Sequence, residues 1–186
     1  MRLNIACGLD VREAWLNLDC RTWESLEEQA RTATVVLPQR EEVDFRQVDV
    51  REGLPFEEGS VEEVLADNFL EHLSLHEPDE LRPFLVECQR VIMPGAVLHG
   101  RTVDIERVFG LYLARMWCKD AKATAGPYEK PWENALSHMA HGWQHREVFT
   151  QPMVRQLLEG AGFVRVAVAD ANEFGMRFEA VKPESR

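Results

Sequence analysis

Two short apolar runs near the start of the chain stand too close together for an ordinary helix to join them. Leu3 to Ala6 ends at Cys7-Gly8, Trp15 to Leu18 ends at Asp19, and only Cys7 to Ala14 lie between. Each run reads as a buried strand. A crossover between parallel strands normally takes about a dozen residues or more. If these two strands are parallel, their connection holds at most one helical turn, around Val11 to Ala14.

The rest of the chain supplies the sheet that these strands would join. Phe45 to Val48 alternates apolar and polar residues and stops at Asp49, and Val61 to Ala66 stops at Asp67-Asn68. Thr22 is placed to cap a helix running to Arg31. A second helix begins at Pro78-Asp79, carries Leu81, Phe84, Leu85, Cys88, Val91 and Ile92 at i, i+3, i+4 spacing, and ends at Pro94-Gly95. Ala96 to Val103 is a fifth strand, followed by an amphipathic helix from about Asp104 to Trp117. Residues 119–144 are rich in Gly, Pro, His and Trp and show no period. A last helix, Gln151 to Ala161, is closed by Gly162 before a strand pair, Val164 to Ala169 and Met176 to Val181. Strands alternating with helices and closing on a hairpin make a mainly parallel α/β sheet with one antiparallel strand. Ligands on such sheets bind beyond the carboxyl ends of the strands, where the strand order reverses.

Composition narrows the partners. A formal charge of -11 repels phosphate backbones, so no nucleic acid is expected. No apolar run approaches the ~20 residues that span a bilayer, and no signal-peptide pattern opens the chain, so no membrane is expected either. Cys7, Cys20, Cys88 and Cys118 form no CxxC pair, which suits free thiols in a reducing cytoplasm. The paired glutamates Glu27-Glu28, Glu41-Glu42 and Glu62-Glu63 read as solvated surface.

The strand ends share a polarity. Gly8 follows the first, Asp19 the second, Asp49 the third and Asp67-Asn68 the fourth. A glycine there lets a ligand approach the backbone. An acid after the second strand can accept the hydroxyl protons of a ribose, and one after the third can accept from an exocyclic amine. Each acid alone is an ordinary strand terminator; four polar ends in order at one edge form a nucleoside-binding pattern.

The residues then resemble a known family, the class I S-adenosylmethionine-dependent methyltransferases, in their small bacterial type-11-like branch. "LNIACG" looks like the first motif of that family, and "LNLD" like its ribose-binding strand. "DVREGLPFEEGSVEEVLADNFLEHL" is similar to the adenine loop with the following strand and helix start. "ECQRVIMPGAVLHGR" and "LLEGAGF" resemble the stretches around strands five and six. The resemblance covers most of the chain. It implies a Rossmann-like fold, S-adenosyl-L-methionine as cofactor, and a site in which Asn4, Ala6, Cys7 and Gly8 border the methionine part. Asp19 would then meet the ribose, Asp49 and the Val50 backbone the adenine, and Asp67, Asn68 and Phe69 the amino group and sulfonium.

The pattern is pared down. Against a D/E-x-G-x-G-x-G motif the chain has Asn4, Ala6, Gly8 and Asp10, one glycine of three. With a reduced first crossover helix, and with strand one at the start of the chain, the cofactor site is expected to be open. Residues 119–144 would cover it as a lid and acceptor insertion within a single domain of residues 1–186, or else a partner protein or a second copy of the chain would. A weak helix terminus also assigns Arg12 to the methionine carboxylate.

Methyl transfer needs an aligned, deprotonated acceptor. His138, His141 and His145 are spaced i, i+3, i+7, and imidazole titrates near neutral pH. His145 and His141, beside Trp143, and then His72 in "LEHL", are the candidate general bases. The same histidines also suit surface or capping positions, and Trp132 and Trp143 suit either an acceptor pocket or an anchor to the core. No cysteine or carboxylate stands at a recognised ligand spacing from the clustered histidines and HExxH is absent, so no metal is expected. The reading is a cytoplasmic small-molecule methyltransferase. The alternative is a degenerate binding or partner module of the same fold. A nicotinamide oxidoreductase is disfavoured, because GxGxxG is missing and the first helix is too short to present its amides to a pyrophosphate.

Overall fold

The computed structural model describes residues 1–110, 144–172 and 174–184. Seven strands form one sheet: β1 (Arg2–Ile5), β2 (Leu16–Asp19), β3 (Asp44–Gln47), β4 (Val61–Asp67), β5 (Ile92–Val103), β6 (Val164–Asp170) and β7 (Gly175–Val181). Their order is β3-β2-β1-β4-β5-β7-β6. Strands β1 to β5 pair in parallel, and β7 runs antiparallel to both β5 and β6. The architecture is the mainly parallel α/β sheet with an antiparallel C-terminal strand expected from the sequence. Its order reverses between β1 and β4, which puts the ligand-binding edge at their carboxyl ends.

Period-2 side-chain alternation gives the sheet two unlike faces. Leu3, Ile5, Leu18, Val64, Ala66, Leu98, Met176 and Phe178 point to one face and are fully buried. There they meet two helices, α2 (Leu81–Val91) through Leu81, Phe84, Leu85 and Cys88, and α3 (Gln151–Gly160) through Val154 and Leu158. Among the described residues, the opposite face packs a helix near β2 and β3. Helix α1 (Trp23–Ala33), capped by the Thr22 hydroxyl accepting from the Ser25 amide, seats Trp23 and Leu26 against Cys7 and Val43. Across β4 to β7 that face carries Asp67, His99, Arg101 and Arg177, with Leu65, Ala167 and Ala169 between them, around a hollow of about 660 Å³. Ion pairs Glu63–His99 and Asp67–Arg101 run along it.

The crossover between β1 and β2 contains no helical turn at all. Side-chain amides hold it instead. Asn17, fully buried, accepts from Asn4 Nδ2 at 2.9 Å and from the Arg12 amide at 2.9 Å. Its own amide group reaches the carbonyls of Arg12, Trp15 and Asp44. Asn4 Nδ2 also donates to the Asp10 carbonyl at 2.7 Å. A helix would satisfy these backbone groups internally; here two side chains do it.

The strand after the Pro-Gly turn begins earlier than expected. Helix α2 ends at Val91, and β5 runs through Pro94-Gly95, with a register shift between the Val61–Ile92 and Glu63–Val97 pairs. A bulge absorbs the missing proline donor, so the dipeptide bends a strand rather than ending a helix. Of the amphipathic helix expected from Asp104 to Trp117, residues 105–110 are helical, and the remainder lies outside the described residues, as do most of residues 119–144. At Gly100 the neighbouring strand comes so close that a Cβ would sit 2.0 Å from the Ala66 carbonyl oxygen.

Two stability outcomes follow. Asn17→Ala strands several buried polar groups and lowers the unfolding free energy by about 3 kcal/mol or more in urea titrations. Gly100→Ala forces β4 and β5 apart and costs about 3 kcal/mol in the same assay.

Candidate active site

The carboxyl ends of β1 and β2 meet through one carboxylate. Asp19, at the end of β2 and almost fully buried, accepts from the Gly8 amide at 3.0 Å and from the Arg21 amide at 3.0 Å. The Arg21 guanidinium grips it from outside, Nε to Oδ1 at 2.8 Å and Nη2 to Oδ2 at 2.9 Å. Burial by itself would raise the Asp19 pKa, but the Arg21 hydrogen bonds outweigh it and hold the carboxyl below its ordinary value. Gly8 has φ of +52°, in the left-handed region that glycine enters without strain. Its bare Cα and the aimed Asp19 carboxylate form the kind of ledge a nucleoside sugar needs, so the residues present fit the cofactor that the resemblance implies.

The same device recurs one strand along. Asp49 follows β3 and caps the 3-10 turn Val50–Glu52 through its bond to the Arg51 amide. Arg51 clamps its carboxylate, Nε to Oδ1 at 2.8 Å, and lowers its pKa. Val50, buried, leads that turn. At the end of β4, Asp67 is held by Arg101, Nε to Oδ1 at 2.8 Å. The carboxylates that close these three strands are therefore each paired with an arginine. Two of the pairs were legible as a D-x-R spacing, Asp19-Cys20-Arg21 and Asp49-Val50-Arg51. The third joins residues brought together only by the β4–β5 pairing.

The other expected cofactor residues divide by role. Cys7 is buried behind Gly8, and burial together with Asp19 pushes its thiol up to about 12, so it stands there as a neutral group. Ala6 and Asn68 both take positive φ, +49° each, at the ends of β1 and β4. Asn4 braces the crossover, as described above. Phe69 turns its ring to Phe84 in the core, centroids 5.3 Å apart. Arg12 lies on the rim in a bond to Asp10, with Nη2 2.8 Å from Oδ2.

Beyond β4, the 3-10 turn Leu70–His72 delivers Glu71 and His72. Residues far along the chain join them. The Arg146 and Glu147 amides both donate to the Glu71 carbonyl, at 2.8 and 3.1 Å, and the Glu147 carboxylate accepts from the Leu75 amide at 2.7 Å. That clamp brings His145 beside His72, ring centroids 5.0 Å apart and nearly perpendicular. The pairing unites two of the three histidines singled out from the sequence; His141, with His138, Trp132 and Trp143, lies outside the described residues. Burial, with His145 adding to it, keeps the His72 pKa below the usual imidazole value. The positive charge of Arg21 contributes in the same direction. Glu71, buried and held by the Thr102 hydroxyl at 2.8 Å, escaped the sequence reading. Glutamate in an apolar "FLEHL" was the available signal.

Comparison with known proteins identifies the family and the fold. A sequence profile of the methyltransferase domain matches residues 3–99, just over half of the chain. The chain therefore belongs to the methyltransferase domain family. Its fold is that of the class I enzymes, whose cofactor is S-adenosyl-L-methionine. No curated protein matches the sequence significantly. Among solved structures, the PH0226 protein of Pyrococcus horikoshii superposes with a TM-score of 0.59 at 17% identity, covering 97% of this chain and 81% of that one. A S-adenosylmethionine-dependent methyltransferase from Aquifex aeolicus gives 0.55 at 17% identity, with the same coverages of 97% and 81%. The methyltransferase in complex with the Trm112 methyltransferase activator from Haloferax volcanii gives 0.59 at 14% identity, covering 98% and 82%.

The Asp19–Arg21 pair makes a pH prediction. A carboxyl whose folded pKa lies below its unfolded value stabilises the fold above pH 3.8, and that stabilisation is lost as pH falls through the folded pKa. Arg21→Ala removes the clamp while burial remains, so the Asp19 titration midpoint moves upward. Carboxyl-detected NMR titration of wild type and variant measures the shift.

Proposed function

We propose that this protein transfers a methyl group from S-adenosyl-L-methionine to a small-molecule acceptor. The observation that carries the reading is a buried, backbone-anchored carboxylate at the β1–β2 edge, Asp19, on the same carboxyl-end side of the sheet as the 3-10 turn after β4 that sets His72 beside His145. The cofactor supplies an electrophilic methyl on a sulfonium. The chain supplies position. Asp19 receives the ribose hydroxyls when Arg21 swings off it, and a carboxylate accepts two such bonds well. Asp49 and the Val50 backbone take the adenine, and Gly8 gives the backbone access that a side chain would block. Asp67 and Asn68, at the end of β4, lie nearest the methionine part, with Phe69 packed beneath them.

On the acceptor side, His72 and His145 hold the nucleophilic atom and draw off its proton, His141 being the third candidate. Residues 119–144 form the lid, or a partner protein or second copy of the chain takes that place. The acidic surface favours a small acceptor over a polynucleotide, since a net charge of -11 repels phosphates. No helix among the described residues is long and apolar enough to cross a membrane. Free Cys7, Cys20 and Cys88 support a reducing, cytoplasmic location.

Calorimetry with S-adenosylhomocysteine tests the cofactor half. Wild type binds saturably, whereas Asp19→Ala loses about a hundredfold in affinity, as expected for the loss of charge-assisted bonds to two hydroxyls. Absence of binding to the wild type would end the proposal. For the acceptor half, His145→Ala keeps cofactor affinity and loses methyl transfer by about a hundredfold or more across an acceptor panel.

A further inference from the structure

We infer that Glu71, His72 and His145 form a binding site for a divalent transition-metal ion of the zinc class. One ligand atom from each lies within 4.8 Å of the others, two imidazoles and one carboxylate. Two imidazoles with a glutamate are the donor set of open catalytic zinc sites, in which the fourth position is left to water or substrate. Hard cations such as Mg²⁺ and Ca²⁺ prefer oxygen, so two nitrogens select against them. Tetrahedral bonds of about 2.0–2.2 Å place ligand atoms roughly 3.3–3.6 Å apart, an inward movement of about 1.5 Å at most from the present spacing.

Three features of the surroundings suit an ion. The first is the orientation of the ligands from behind. His72 hydrogen-bonds the Gln144 backbone, and Thr102 Oγ1 donates to Glu71 Oε2 at 2.8 Å. Such outer contacts are what fix the ring tautomer and carboxylate rotamer of metal ligands. The second is assembly by backbone. Bonds from the Arg146 and Glu147 amides to the Glu71 carbonyl join the two halves of the set, so the ligands are brought together before any ion arrives. The third is burial. Glu71 is 1% exposed and His145 8%, so the donor atoms are shielded from bulk water and an ion among them would offset the desolvation of the carboxylate.

The inference rests on the proposed function only for the direction of the open position, toward the acceptor. In the metal-loaded protein the two imidazoles would be ligands and would take no proton, the ion would hold the acceptor's heteroatom, and the base role of His72 and His145 would belong to the metal-free protein.

The full chain, stripped with a chelator and dialysed, is titrated with Zn²⁺ by calorimetry and with Co²⁺ by visible absorption. One ion binds per chain, Co²⁺ shows the intense d–d bands of a four-coordinate N/O site, and a hundredfold excess of Zn²⁺ over Kd raises Tm by roughly 5–10 °C. His145→Ala and the near-isosteric Glu71→Gln each weaken binding by roughly a hundredfold. Failure of the wild type to bind either ion saturably overturns the site, as does undiminished binding in both variants. Asp19→Ala separates the two readings, because it loses S-adenosylhomocysteine and retains Zn²⁺. Zn²⁺ binding by a wild type that takes no S-adenosylhomocysteine would uphold the metal site and sink the methyltransferase reading.

Discussion

A single buried amide pair, Asn4 with Asn17, makes the rest of this fold possible. Two parallel strands joined by so short a loop leave backbone donors and acceptors that a crossover helix would normally satisfy. Asn17 gathers them, reaching Asn4, Arg12, Trp15 and Asp44. The loop is thereby pulled flat against the ends of β1 and β2, which puts the Gly8 amide on the Asp19 carboxylate. The Gly8–Asp19 contact and the crossover are thus one hydrogen-bonded structure.

Charge at the binding edge is balanced residue by residue. The chain is strongly acidic, yet the aspartates closing β2, β3 and β4 each face an arginine. Buried Asp19 gains most from its partner, because a desolvated carboxylate has no water to fall back on. The more exposed Asp49 and Asp67 pairs contribute less to stability and more to orientation.

The sheet is asymmetric in the same economical way. Among the described residues, one face has a continuous apolar core under α2 and α3; the other packs α1 at one side and carries charged and polar side chains, among them the Asp67–Arg101 pair, at the other. The histidine cluster grows out of the well-packed side, because Glu71 and His72 follow β4 directly and Thr102 reaches them from β5. Groups with chemical potential are carried there by the most rigid part of the molecule.

Much of this was readable along the chain. Apolar runs with period 2, the Thr22 cap and the i, i+3, i+4 face of α2 announce strands and helices because they depend on local geometry alone. The polar strand ends, and with them the candidate cofactor residues, follow from that reading plus one topological rule. Pro94-Gly95 misled, since a bulge accommodates in a strand what would end a helix. What tertiary structure decided is every pairing across sequence distance: Asn4 with Asn17, Asp67 with Arg101, and His145 with His72 and Glu71. Spacing in sequence is silent on these contacts, because hydrogen bonds and ring contacts respond to distance in space, and only the closed sheet sets that distance.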